Sequence, residues 1–310
     1  MNILVVGAGA TGGFFGARLA RAGQDVTFLV RPARAAALRE RGLRITGLGE
    51  DEVITPRLAT AAELSTPYDV VLLSVKSTAL TRSIEDFAPA VGPQTVIVPL
   101  LNGMAHLREL NERFGPEPVL GGVAKVVTTL NSDGDIVRLA PPASLAVGEQ
   151  DGRPSPRVDK LAAMLVDAGI DATATAHIVP AMWSKWVFIS TLAALTCLMR
   201  GTVGEVAAVP GGPAFVSGLL AEGAAVADAA GFPVRQHELA ALEATLTTAG
   251  SPLTASLYRD VLAGRPTEAE HVFGDLVARA RDLSVDTPLL DLAALHLRVH
   301  EHRTATAGSR

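Results

Sequence analysis

Three glycines near the start of the chain, Gly7, Gly9 and Gly12, follow the spacing G-x-G-x-x-G. Their flanks make them the tightest constraint on the fold. Asn2 to Val6 is a short apolar run rich in Val, Ile and Leu. An Ala/Leu-rich helical pattern runs from Thr11 to Ala22 and stops at Gly23, and a second apolar run covers Val26 to Val30. Strand, glycine turn, helix and strand in close succession form a βαβ unit, the context in which this spacing marks a dinucleotide-binding turn. Gly7 then permits the tight turn, Gly9 lets a pyrophosphate approach the backbone, and Gly12 lets the helix pack on the strand. The helix start offers unpaired N–H groups and the positive end of its dipole to the phosphates. The competing reading is a glycine-rich turn that holds no ligand.

The end of the second strand selects the dinucleotide. An NAD site carries Asp or Glu there for the ribose 2′-hydroxyl, whereas Arg accommodates a 2′-phosphate. This strand ends Leu29-Val30-Arg31, Asp25 lies at its wrong end, and the next acid is Glu40. Arg31 and Arg34 are placed to meet a phosphate bidentately, which favours NADPH over NADH. Two solvated arginines at a helix start are the alternative.

A chain of 310 residues suits one large or two ordinary domains with a substantial core. A net charge of −5 without a basic block argues against nucleic-acid binding. The single cysteine, Cys197, excludes an internal disulfide and a cysteine-based metal site, and no metal is expected. The N-terminus lacks the basic start of a signal peptide, and no run of about eighteen apolar residues supports a membrane span. A cytoplasmic protein is the expectation.

Further along, a short helix to Arg41 precedes strand-like pieces Leu43 to Thr46 and Val53 to Ile54, an excursion from the sheet. Tyr68 to Lys76 and Thr95 to Pro99 read as buried parallel strands, with helices Thr78 to Phe87 and Met104 to Arg113 between and after them. Val119 to Leu130 is β-rich, and Asn131 to Asp135 reads as a hairpin connection. Ile136 to Leu139 and Leu145 to Val147 continue an antiparallel portion, with a loop at Pro141-Pro142. A helix from Arg157 to Ala168 and a strand from Ile170 to Thr175 close this half.

The remainder reads as helical, including single helices from Glu268 to Leu283 and from Leu289 to His300, with the polar end Arg303 to Arg310 frayed. The expectation is an α/β Rossmann-type dinucleotide-binding domain over 1–177 and an all-helical domain over 178–310. Its apolar surface leaves room for a homodimer.

Ligands of such sheets bind beyond the carboxyl ends of the strands, where Ser74 to Lys76 and Asn102-Gly103 lie beside the glycine loop. Lys76 reads equally as a solvated helix-start lysine, and Asn102-Gly103 as a turn. Lys185 is the one charge in an apolar helical stretch, WSKWVFISTLAALTCLM. It either snorkels to water or faces the cleft between the two domains, where partial desolvation suits it to proton transfer. Glu268 reads as a first-turn acid behind Thr267, and Ser256 as a helical serine.

Taken together, these stretches resemble the ketopantoate reductases (2-dehydropantoate 2-reductases). The resemblance covers the GAGATG loop, Leu29-Val30-Arg31, Ser74-Val75-Lys76, Asn102-Gly103, the Asp133-Gly134 hairpin, Met182-Trp183-Ser184-Lys185, Ser256 to Asp260 and Arg265 to Glu270. It implies a Rossmann domain, a helical domain like that closing 6-phosphogluconate dehydrogenase, and an active site in the cleft between them. It implies NADPH on Gly7, Ala8, Gly9, Ala10, Thr11, Gly12 and Arg31, with Lys76 and Asn102 near the nicotinamide ribose. Lys185 matches the catalytic general acid and Glu268 the second catalytic group, which orients substrate and lysine. Ser256 and Asn102 match substrate-binding groups, and the partner is a small 2-oxo acid, by family default 2-dehydropantoate.

One departure stands out. Family members usually carry asparagines four and eight residues after the lysine; here those positions are Ile189 and Ala193, on the same helical face. A further family asparagine is Phe273 here. The substrate pocket, with Ile189 and Ala193 in its wall, is therefore expected to be more apolar. This admits two alternatives: reduction of a different, more apolar ketone or imine, or an NADPH-binding sensor without catalysis.

Overall fold

The computed structural model describes residues 1–307. In chain order, β1 (Asn2–Val6), α1 (Ala10–Arg21), β2 (Asp25–Leu29) and α2 (Pro32–Arg41) lead into β3 (Leu43–Gly47), β4 (Glu50–Ile54) and β5 (Arg57–Ala59). Then come β6 (Val70–Leu73), α3 (Leu80–Phe87), β7 (Val96–Pro99), α4 (Ala105–Phe114), β8 (Leu120–Leu130), β9 (Ile136–Glu149), α5 (Pro156–Asp167) and β10 (Asp171–Ala174). The rest is helical: α6 (Ile178–Met199), α7 (Val203–Ala207), α8 (Gly212–Ala229), α9 (Gln236–Leu246), α10 (Ser256–Leu262), α11 (Asp275–Asp282) and α12 (Pro288–Ala307). The chain divides into two compact units. One holds Met1–Leu101 and His106–Val179; the other holds Asn102–Ala105 and Pro180–Arg310.

In the first unit a parallel sheet runs β5-β2-β1-β6-β7. The order reverses at β1: β2 and β5 lie on one side, β6 and β7 on the other. Such a reversal opens a crevice beyond the carboxyl ends of the strands, where these folds bind ligands. Val6 pairs with both Leu29 and Leu73, so the glycine loop leaves the sheet at that crevice. Ile3, Leu4 and Val5 are fully buried, as a strand covered on both faces requires.

The excursion forms a second sheet, β10-β9-β3-β4, with β8 antiparallel to β9. Here the expected break at Pro141-Pro142 does not occur. β9 continues through both prolines because β8 is irregular opposite them. Val127 pairs with Ala140 and Val126 with Ala143, so the prolines fall between paired positions where no ladder donor is needed.

In the second unit, α6 is long and apolar enough to cross a membrane by length and composition alone, unlike the expectation from apolar runs. Yet 61% of its most apolar window is buried inside the protein, the pattern of a core helix. Two of its buried hydroxyls bond back to their own helix: Ser190 donates to Val187 O at 3.1 Å and Thr196 to Leu192 O at 2.7 Å. The α12 start is capped from outside. The Glu222 carboxylate on α8 accepts from the Leu289 and Leu290 amides, both at 2.9 Å, which satisfies two orphan donors.

α12 also runs past the expected end at His300 to Ala307. Thr304 and Thr306 bond back to the carbonyls of Glu301 and His302, at 2.9 and 3.0 Å, and keep the polar turn helical. The remaining expected fraying, at 308–310, lies outside the described residues.

Cys197 is fully buried on α6, and burial pushes its thiol pKa up to about 12. The thiolate is the reactive form. The native protein is therefore expected to leave a thiol reagent unreacted at pH about 8, with Cys197 labelled only after denaturant unfolds the chain. Mass spectrometry before and after unfolding checks this.

Candidate active site

The glycine loop distributes its three roles by steric need. Gly7 has φ +96°, and a Cβ there would stand 2.5 Å from Ser74 O. At Gly12 a Cβ would stand 2.3 Å from Gly7 O and 2.8 Å from Ser74 Cβ, so α1 sits directly on the β1 and β6 ends. Gly9 is the opposite case: a Cβ there would meet nothing within 4 Å. Gly9 is also the N-cap of α1 and offers no side-chain cap, so the first-turn amides of Ala10, Thr11 and Gly12 stay open to a ligand. Two crowded glycines around an open third, under an uncapped helix start, fit a dinucleotide pyrophosphate.

Arg31 and Arg34 separate. Arg31 is exposed at the N-cap of α2, directly past β2, in keeping with a 2′-phosphate ligand. Arg34 is half-buried and engaged within the fold: its Nη2 donates to Gly134 O at 2.9 Å and Ala8 O at 3.3 Å. Burial lowers its pKa. Sequence position alone paired the two arginines; the hairpin that captures Arg34 lies 100 residues on. Lys76 is exposed and starts the short 3₁₀ turn Ser77–Ala79 after β6.

The second unit holds four of the stretches singled out in the sequence. Lys185 is half-buried on α6, and its neighbour Trp186 is 1% exposed. The Trp186 indole donates through Nε1 to Val272 O at 2.8 Å. Trp183 packs on Trp186 with ring centroids 5.1 Å apart, and the Arg279 guanidinium lies 5.5 Å from the Trp186 ring.

Val272 belongs to the stretch that holds Glu268, and that stretch is not the single helix expected. Residues Glu270–Gly274 form a π-helical turn ahead of α11. A π turn leaves the backbone out of α register, and here it turns one carbonyl to Trp186. The turn is fixed from its other side by Glu270, whose carboxylate pairs bidentately with Arg298 at 2.6 and 2.9 Å and is held below the usual carboxylate range. Thr267 accepts from the Ala269 amide at 3.2 Å and donates to Glu301 at 2.6 Å, which fixes the entry beside half-buried Glu268.

Asn102-Gly103 arrives from the end of β7. Gly103 has φ +73°, and a Cβ there would stand 2.9 Å from His271 O, so this turn lies against the π turn. The half-buried Asn102 thus joins the same cluster as Glu268 and the Lys185 helix. Ser256 stands exposed at the first position of α10. Along α6, Ile189 is half-buried, whereas Ala193 is 1% exposed and packs in the interior. Phe273 is fully buried as well. The π turn was the feature sequence reasoning missed; the paired tryptophans of WSKW were its one visible trace.

Comparison with known proteins adds the following. The family model described as ketopantoate reductase PanE/ApbA matches residues 3–152, and its C-terminal counterpart matches 177–301. The chain is similar to a Bacillus subtilis protein named uncharacterized oxidoreductase YkpB, with 32% identity over 97% of this chain and 99% of that one. It is similar to the crystal structure of 2-dehydropantoate 2-reductase from Geobacter metallireducens GS-15, with TM-score 0.88, 29% identity and coverage of 96% and 99%. It shares its fold with D-mandelate dehydrogenase in a ternary structure with NADH and anilino(oxo)acetate, at TM-score 0.90, 21% identity and coverage of 98% and 100%.

Proposed function

This chain belongs to the ketopantoate reductase family of NADPH-dependent 2-oxo acid reductases, and from that premise we propose that it reduces 2-dehydropantoate to pantoate. The observation that carries the reading is the cluster of Asn102-Gly103, the Lys185 helix and the Glu268 stretch, joined through Trp186, Val272 and His271. NADPH, when bound, supplies the hydride that the carbonyl carbon accepts. Lys185 donates a proton from Nζ to the carbonyl oxygen, and water returns a proton to the neutral amine. Glu268 orients substrate and lysine through its carboxylate. Asn102 and Ser256 hold substrate polar groups, and Arg31 receives the 2′-phosphate.

A second reading rests on Ile189, half-buried one turn after the lysine where the family usually carries asparagine. An apolar wall there favours a bulkier, less hydroxylated 2-oxo acid or ketone. A screen following NADPH absorbance, with 2-dehydropantoate beside longer and branched 2-oxo acids, separates the two. Turnover of 2-dehydropantoate at least as efficient as any other is expected, and Ile189→Asn is expected to raise its kcat/KM by about 2- to 10-fold, the value of one neutral hydrogen bond. A branched 2-oxo acid preferred by more than about tenfold selects the second reading.

A further inference from the structure

One side chain links the glycine loop to a turn far away in sequence. Arg34 donates to Ala8 O, in the middle of the loop, and to Gly134 O, in the β8–β9 turn. Ala8 is 5% exposed, so its carbonyl has little access to water and needs this donor. The turn itself is firmly built. Asn131 Oδ1 accepts from the Asp133 and Asp135 amides at 3.0 and 2.8 Å. Arg41, also on α2, donates to Asp133 O at 2.8 Å and pairs with Asp135 at 3.5 Å. Gly134 has φ +82°, which favours glycine, and a Cβ there would stand 2.5 Å from Arg34 Nη1 and so displace the guanidinium.

We infer that Arg34 is a positioning residue of the dinucleotide site: it ties the Ala8 carbonyl to the β8–β9 turn and so fixes the loop that receives the pyrophosphate, without reading the 2′-phosphate. The inference rests on the glycine loop being the cofactor site. It makes the β8–β9 turn a working part of that site. A 2′-phosphate ligand discriminates NADPH from NADH, because only one of them carries that phosphate. A loop anchor serves the pyrophosphate, which both carry, and so supports both equally.

The test is titration of the full chain with NADPH and with NADH, followed by intrinsic fluorescence, with melting temperature as the folding control. Arg34→Ala is expected to raise both Kd values by about tenfold, leaving their ratio within about threefold of the unsubstituted protein. Arg31→Ala is expected to weaken NADPH by about tenfold or more and leave NADH within about threefold. Gly134→Ala, which displaces the guanidinium while keeping it, is expected to reproduce Arg34→Ala, and the double substitution is expected to be no weaker than either alone. Arg34→Lys, with its charge kept and its fork lost, is expected to fall between. Loss of NADPH affinity alone in Arg34→Ala, or no loss for either cofactor, overturns the inference. If Arg34→Ala does not fold, Gly134→Ala decides by the same two criteria. Gly9→Val isolates the underlying reading: if it leaves both affinities intact, the loop is not the cofactor site, whereas a loss there with none in Arg34→Ala rejects this inference alone.

Discussion

Lys185→Ala is expected to lower kcat by about 10²- to 10⁴-fold, the usual contribution of a positioned general acid, while NADPH affinity stays within about threefold. The physical basis is the place of the lysine. It is the one charge on α6, half-buried, beside a tryptophan locked by ring packing and a buried hydrogen bond. A side chain on so rigid a support is held ready for transfer at one atom. Steady-state kinetics gives kcat, and fluorescence titration gives cofactor affinity. Addition of small primary amines is expected to restore part of the lost rate by replacing the missing proton donor. Turnover within about tenfold of the unsubstituted enzyme would remove Lys185 from this role.

The largest effect on stability is expected at Trp186. Trp186→Ala removes a side chain that is 1% exposed, packs on Trp183 and lies beneath Arg279. Large-to-small changes of this kind cost about 3–5 kcal/mol. Trp186→Phe keeps most of the apolar volume but leaves Val272 O without its indole donor, at a cost of about 1–3 kcal/mol. Urea unfolding of both variants measures the two contributions separately. Because Val272 lies in the π turn beyond Glu268, both variants are also expected to lower kcat more than they change cofactor affinity. A loss below about 1 kcal/mol in Trp186→Ala would mean that the π turn is held by the Glu270–Arg298 pair instead.

The Rossmann half was legible because its signals are local. Gly7, Gly9 and Gly12 declare the turn by their spacing between two apolar runs, although the atoms that crowd Gly7 and Gly12 include Ser74 beyond β6, and the strands beside them are dominated by buried apolar residues. The α6 core helix was legible for the same reason. What escaped is set by partners distant in sequence. β9 passes through Pro141-Pro142 because an irregularity in β8 removes the need for a donor there. Residues Glu270–Gly274 take a π turn in which one carbonyl meets an indole 86 positions earlier in the chain. Arg34 looks like Arg31 until the Gly134 carbonyl captures it. In each case local propensity permitted two outcomes, and a tertiary contact chose between them.

The grouping of Asn102–Ala105 with the helical unit sets a limit on dissection. The backbone passes from one unit to the other at Leu101–Asn102, returns at Ala105–His106, and passes over again at Val179–Pro180. No single cut yields both units whole. A fragment beginning at Pro180 lacks the Gly103 backbone that lies against His271, and a fragment ending at Val179 carries four residues whose neighbours are gone. Along this chain, inheritance by contiguous segments and construction by compact units do not coincide. Grafting the helical unit onto another nucleotide-binding partner would have to bring that four-residue excursion along as a separate piece.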